Sequence, residues 1–326
     1  MIIIKTPMRM SFAGGGSDLS TYYLEHDGAV MSTSINKFVY TTINNYFDKA
    51  RNIFKYSKTE IVDKNEEINH PLIKACMNRA YNKTGIEMTS MSDIPTAGAG
   101  LGSSSAFTVG LLKALYCFQN VNKSNEVLAE EACDVEINDL KEPIGKQDQY
   151  ACAVGGINLI KFCRDDIVKV NPLPIRKSTR QELNENLIMF YTGVTRPAKI
   201  VLNKQKATSN KPYNVVRLKE MVSLAYEMSD SLMDNDLTEF GEMLHKGWLL
   251  KKGLTNNISN DKFDNIYRKA LSHGAIGGKL LGAGGGGFFV FYCPKEKQQN
   301  LIRYLPMRHV TFSFEQSGSK IIYLED

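Results

Sequence analysis

"PTAGAGLGSSSAF", residues 95–107, is the stretch on which the reading of this chain turns. Gly98, Gly100 and Gly102 alternate with other small or apolar residues, three serines follow, and the chain runs on into AFTVGLLKALYCF. The apolar run predicts a helix over about 103–119. The glycines in front of it allow positive φ and a close approach of backbone to a ligand. At such a helix mouth the free N–H groups and the positive dipole end face the loop, and Ser103, Ser104 and Ser105 add hydroxyls. The combination reads as an anion site built mostly from backbone, a phosphate cradle. The plainer alternative is a serine-capped helix after a turn, and the flanking sequence must decide.

Immediately outward, residues 86–94 read as a strand and 71–84 as a helix opened by Pro71. A second helix is expected over about 124–139, capped by Ser124 or Asn125. Residues 2–13 form a strand entering the turn Gly14-Gly15-Gly16, strands are expected within 28–47, and an IFKYS island marks another among the polar residues 48–66. A hairpin crosses Arg164-Asp165 between 157–162 and 167–170, and 187–193 is a short buried strand. Residues 196–213 are polar and lysine-bearing and read as a mobile loop. Beyond them come longer helices at about 214–233, 236–251 and 261–273, a glycine turn at 282–287, the strand FFVFYC, and a final helix and strand. The Pro172/Pro174 and charged segment places a boundary near 171–186, dividing the chain into domains 1–175 and 176–326.

Two other glycine motifs fail on context. Gly282, Gly284 and Gly287 match G-x-G-x-x-G, but a strand follows where a dinucleotide loop needs a helix. Lys279 follows Gly278, but Leu280 stands where a Walker loop needs Ser or Thr.

The 326 residues are 43% hydrophobic and 23% charged, ordinary for a folded protein of two domains. The net charge of +5 is scattered rather than gathered into a stripe, which argues against a nucleic-acid partner and suits an anionic small substrate. Cysteines 76, 117, 133, 152, 163 and 293 show no C-x-x-C spacing and read as reduced core thiols; the five histidines show no ligand spacing. No signal peptide and no membrane span is read, so a cytoplasmic protein with no membrane partner is expected, monomer or homodimer.

Four segments, in order, resemble motifs of the GHMP kinases, the family of galactokinase, homoserine kinase, mevalonate kinase and phosphomevalonate kinase. Pro95 to Ser105 resembles the phosphate loop with one extra spacer. Pro7 to Asp18, PMRMSFAGGGSD, resembles the N-terminal substrate motif. Gly145 to Gly156, GKQDQYACAVGG, resembles the segment that bears the catalytic aspartate. Lys279 to Phe291, KLLGAGGGGFFVF, resembles the C-terminal glycine motif. The resemblance implies an α+β, two-domain fold, with an N-terminal domain like a ribosomal-protein α/β domain and a ferredoxin-like α+β C-terminal domain. It implies ATP and Mg²⁺ as cofactors. Gly14-Gly15-Gly16-Ser17-Asp18 replaces the Gly-Glu-His of galactokinases and mevalonate kinases and is similar to the bacterial kinases of D-glycero-D-manno-heptose 7-phosphate and to fucose kinases. Ile35-Asn36-Lys37 adds to the heptose-kinase likeness. The expected activity is therefore phosphorylation of the anomeric C1 hydroxyl of the heptose 7-phosphate. A fucokinase-like sugar 1-kinase, a catalytically silent sugar- or ATP-binding paralogue and an RNA-binding module are the alternatives.

By this likeness Asp148 is the general base, with Arg9 and Lys146 as catalytic cations. Pro95, Gly98, Gly100, Leu101, Gly102, Ser103, Ser104 and Ser105 hold the nucleotide. Gly15, Gly16, Ser17, Asp18, Gly284, Gly285 and Gly286 join Arg9 and Asp148 around the sugar, and Ser104 and Glu136 are the Mg²⁺ ligands. The residues themselves add partial support. Asp148 falls at the start of a short predicted helix, where a carboxylate also simply suits the dipole. Glu136 lies one turn after Ala132, at the edge of the apolar face marked by Leu128, Ala132 and Val135; the bland reading leaves it exposed like Glu130 and Glu131. Arg9 either stabilises transferred charge or pairs with Asp148, or is an ordinary paired strand arginine. Arg196, Lys199 and Lys204 are candidates for the substrate's own phosphate by charge alone. Trp248 and Met243 read as core. The adenine pocket is placed only loosely, between the strands near 40–60 and the helix before the phosphate loop.

Overall fold

The computed structural model describes residues 1–94, 98–195 and 198–325. Residues 2–13 and 28–45 alternate apolar and β-branched side chains, and they pair as two long antiparallel strands, Ile2–Ala13 and Gly28–Asn45. The expected strands of 28–47 are thus one strand of 18 residues. Its length lets it serve two neighbours, Ile86–Ser92 along one half and Ile157–Phe162 along the other. The order 320–324, 2–13, 28–45, 86–92, 52–55, 59–62 runs across a nine-stranded sheet, in which Ile157–Phe162, Val168–Pro172 and the two-residue Phe314–Glu315 attach to the side.

A second sheet of four antiparallel strands has the order Arg308–Val310, Leu187–Tyr191, Phe288–Tyr292, Gly277–Leu280. Its central strands LIMFY and FFVFY are apolar at nearly every position because helices and strands cover both faces. Trp248, Phe263 and Phe289 fill the core beneath it, and Met243 is buried nearby. The two architectures match the expected α+β, two-domain plan. The last strand, Lys320–Leu324, returns to pair with Ile2–Lys5 at the edge of the first sheet.

The helix Ser103–Phe118 lies across the first two strands with Val109, Leu111, Leu112 and Leu115 buried beneath it. The helix Pro212–Met233 packs on Leu237–Lys252 and on the long strand of the first sheet, which ties the two sheets together. The cysteines are free; Cys76, Cys133, Cys152 and Cys293 are buried.

Two local expectations are corrected. Residues expected as a mobile loop over 196–213 contain the helix Ala198–Thr208; Arg196 lies outside the described residues. Its polar composition concealed the helix because only one side, carrying Val201 and Gln205, meets the protein. The helix expected over 124–139 is α-helical only over Asn125–Cys133 and continues as a π-helical turn, Asp134–Asp139. There Leu140 N–H donates to Val135 O, five residues back. A wider turn shifts the side-chain period that a 3.6-residue reading assumes.

Candidate active site

The glycine loop of residues 98–102 and the start of the Ser103 helix wall a cavity of about 450 Å³ between the two sheets. Gly98, Gly100 and Gly102 all have positive φ, of 69°, 76° and 70°. Gly102 stands at the N-cap position without a side-chain cap, so the helix mouth is formed by backbone. Gly98, Gly100, Gly102, Ser103, Ser104 and Ser105 all line the cavity. Leu101 turns its side chain into the core and offers its carbonyl to the N–H of Arg9. Pro95 lies outside the described residues.

Arg9 joins this loop to the opposite wall. Its Nε donates to Asp148 Oδ1 at 2.8 Å and its Nη2 to Oδ2 at 2.6 Å, a bidentate pair. Its Nη1 donates to Gly100 O at 2.6 Å. The strand Ile2–Ala13 delivers Arg9 and the helix Gln147–Val154 delivers Asp148 in its first turn. Arg9 is buried, but the Asp148 carboxylate at its tip outweighs that burial and holds the guanidinium above its ordinary value. Asp148 remains open to the cavity, so it can meet a substrate hydroxyl.

Glu136 is 1% exposed, which excludes the bland reading. The π turn rotates it inward, where its carboxylate accepts from Ser104 Oγ at 2.8 Å, Ser105 Oγ at 2.7 Å, Thr108 Oγ1 at 3.2 Å and the Gln149 amide. Every one of these donors is neutral. Burial raises its pKa, against the pull of the hydroxyls and the amide. A buried carboxylate with no cation on it among the described residues, beside a serine hydroxyl at the mouth of an anion loop, fits a divalent cation shared with phosphate oxygens. Among the described residues no group of three or more acidic, histidine or cysteine side chains is placed to hold a metal ion.

Asp18 is also buried and lines the cavity. It accepts from the N–H groups of Gly16 and Gln147 and from the Gln147 amide, at 2.9, 3.2 and 3.0 Å. Burial, then the charge of Asp148, raises its pKa. Gly15 and Gly16 sit beside it in the wall, whereas Ser17 turns away and bonds both backbone groups of Ala29. Ser11 Oγ, in the same wall, is buried without a partner.

Lys146 does not reach the site. Its ammonium pairs with Asp166 at 2.6 Å, because a helix-start residue two before Asp148 points the other way. Gly284, Gly285 and Gly286 are likewise not in the cavity wall; Gly282 and Ala283 are. The Gly285 N–H donates to Ile258 O, and a side chain at Gly286 would strike Val194 O. Lys199 reaches the wall and pairs with Glu142 at 3.0 Å, while Lys204 is exposed away from it.

Sequence reasoning missed Thr108, Gln149, Gln205, Lys251 and Lys279. Gln205, on the helix read as a loop, packs against Gly16 closely enough that a Cβ there would lie 2.2 Å from Nε2. Thr108 was findable, being one turn after Ser104 on the same helix face. Lys251 and Lys279 carried no such signal.

Comparison with known proteins settles the family. The descriptions "GHMP kinases N terminal domain" and "GHMP kinases C terminal" match residues 71–156 and 228–308. The chain belongs to the GHMP kinase family. It is 30% identical to a D-glycero-alpha-D-manno-heptose 7-phosphate kinase of Campylobacter jejuni, over 97% of each chain. A crystal structure named a D-glycero-D-manno-heptose 1-phosphate kinase, from Bacteroides thetaiotaomicron, superposes with a TM-score of 0.83 at 26% identity and covers all of both chains. The Arabidopsis thaliana bifunctional fucokinase/GDP-fucose pyrophosphorylase is 26% identical over 95% of this chain and 31% of its own length. This GHMP kinase is a sugar kinase, a phosphotransferase with an alcohol acceptor, and family membership implies ATP as donor. Among the described residues no helix is long and apolar enough to cross a membrane.

Proposed function

We propose that this kinase phosphorylates the C1 hydroxyl of D-glycero-D-manno-heptose 7-phosphate from Mg²⁺-ATP, in the cytoplasm, giving the 1,7-bisphosphate for nucleotide-activated heptose synthesis. One observation carries the catalytic part: the Arg9–Asp148 pair and the glycine loop meet at Gly100 O, so a carboxylate and a phosphate cradle face one cavity. The loop amides and the Ser103–Ser105 hydroxyl groups orient the triphosphate. Ser104 and Glu136 hold Mg²⁺, which neutralises charge on the phosphates. Arg9 fixes the Asp148 carboxylate, which orients the hydroxyl and receives its proton. The sugar oxygen forms a bond to the γ-phosphorus as the bond to the β–γ bridging oxygen breaks, and ADP leaves with that electron pair. Asp18, Gly15, Gly16 and Ser11 form the sugar side, and His70 with Leu72, which line the same cavity at the start of the helix Pro71–Ala80, the base side. The substrate identity rests on the glycine-rich Gly14–Asp18 turn and on the relatives' names.

The test is ADP release across a panel of sugars and phosphosugars, followed by phosphorus NMR of the product. The reading expects turnover with the heptose 7-phosphate and a new anomeric phosphate. Preference for fucose or another unphosphorylated sugar moves the enzyme to the fucokinase-like alternative. No ADP release with any acceptor leaves a silent binding protein.

A further inference from the structure

The cavity holds two lysines that the mechanism above does not use. Lys251, from the helix Leu237–Lys252, and Lys279, from the strand Gly277–Leu280, both line it, and they are 7% and 4% exposed. Lys251 Nζ donates to Leu280 O at 2.9 Å and Gly282 O at 2.5 Å; Lys279 Nζ donates to Phe12 O at 2.8 Å. Among the described residues neither has a carboxylate within ion-pair distance. Buried ammonium groups without an anion are costly, and proteins normally pair them. Charge of the same sign acts on them: Arg9 from the first strand opposes the charge of both, and Lys251 opposes that of Lys279. Of the described acids in the cavity wall, Asp148 is engaged by Arg9, Asp18 by the substrate turn, Glu136 by the serine hydroxyls and Glu142 by Lys199.

We propose that Lys251 and Lys279 complete, with Arg9, a receptor for the phosphoryl group in transfer, and that they take up protons when it arrives. This rests on the kinase reading. The place is right for the transferring group: Lys251 holds Gly282 O, and Gly282 packs directly on Gly100, whose carbonyl Arg9 holds. The cations therefore sit under the junction of the phosphate loop and the catalytic pair. The exposed Lys199 and Lys204 are less able to act there, since one is already paired with Glu142 and the other lies outside the wall. Burial, then Arg9, lowers Lys251 to about 7, and burial lowers Lys279 well below the usual lysine value. In the free enzyme at pH 8 Lys251 is then largely neutral, burial disfavours the charge of Lys279 as well, and an incoming anion favours the charged form of both.

The test is calorimetry of Mg²⁺-ADP binding at pH 8, with and without beryllium fluoride, in buffers of different ionisation enthalpy. Beryllium fluoride mimics the phosphoryl group and has no proton of its own to lose. The proposal expects about one more proton taken up with the fluoride than with ADP alone, as Lys251 recharges. It expects Lys251→Met to lower that excess and to weaken the fluoride complex by at least ~10-fold while ADP affinity stays within ~2-fold. Equal uptake in the two titrations of the wild-type enzyme overturns the proposal alone, without any variant. An unchanged excess in Lys251→Met makes that lysine a clip for the glycine turn and likewise overturns its assigned role. If ADP itself does not bind, the kinase reading falls and this proposal with it.

Discussion

Two glycine-rich loops meet at the centre of this kinase and use their glycines for different ends. In residues 98–102 the freed backbone faces the cavity and leads into a helix mouth. In residues 284–287 it faces other chain, and Gly282, though in the cavity wall, is pressed against Gly100. A Cβ at Gly282 would lie 2.4 Å from Gly100 Cα, one at Gly284 2.8 Å from Ile258 O, and one at Gly287 2.4 Å from Ala99 O. The second loop is a bracket that presses on the first. Glycine content therefore signals close approach, and only the neighbours say whether the approaching partner is a ligand or backbone.

That contrast can be broken most sharply on the ligand side. Asp148→Asn should lower kcat by at least ~10²-fold, the lower end for a lost general base, with nucleotide Kd little changed. Steady-state turnover near wild type would remove Asp148 from the chemistry. On the chain side, Gly282→Ala adds a methyl against Gly100 backbone at a φ of 67°. It should cost ~1–3 kcal/mol from the strained backbone, with more from the clash, seen as a lower Tm together with weaker nucleotide binding. Weaker nucleotide binding with an unchanged Tm would show that the second loop touches ligand after all.

Glu136→Gln sharpens the ligand side again. It keeps the shape and removes the charge, so the Mg²⁺ concentration for half-maximal activity should rise at least ~10-fold, about 1.4 kcal/mol. A Mg²⁺ titration with no change would make the hydroxyl-ringed carboxylate purely structural. The mildest outcomes belong to two residues of the same motifs. Gly15→Ala has open space, its nearest neighbour being the Gln147 amide at 3.7 Å, so Tm should move by less than ~0.5 kcal/mol equivalent. Lys146→Met loses a partly exposed pair with Asp166, worth about 0–1 kcal/mol, and kcat should stay within ~3-fold. A large fall in kcat there would restore Lys146 to the catalytic set.

Motifs with strong local grammar were legible in the chain. The Ser103 helix ends at Phe118, one residue from its expected end, and the strand of residues 2–13 has its expected bounds. Arg9, Asp148, Ser104 and Glu136 do converge, because their segments carry that grammar in order. Lys146 and Ser17 show its limit: a motif names a segment, and the backbone direction at each position decides which side chains face inward. The helix Ala198–Thr208 was hidden because a lightly buried amphipathic helix has the composition of a loop.

From the sequence alone came the family, through motifs in order, and the glycine loop at residues 98–102 that opens a helix, while the pairing of Arg9 with Asp148 stood as one reading among several. These depend on short-range patterns, where φ preference, capping and side-chain period act over a few residues. Only the tertiary structure decided that Glu136 turns inward through a π-helical turn and that Lys251 and Lys279 lie buried beneath Arg9. It alone returned the strand Lys320–Leu324 to the first sheet. Burial and charge proximity are sums over residues far apart in the chain, and no local pattern contains them.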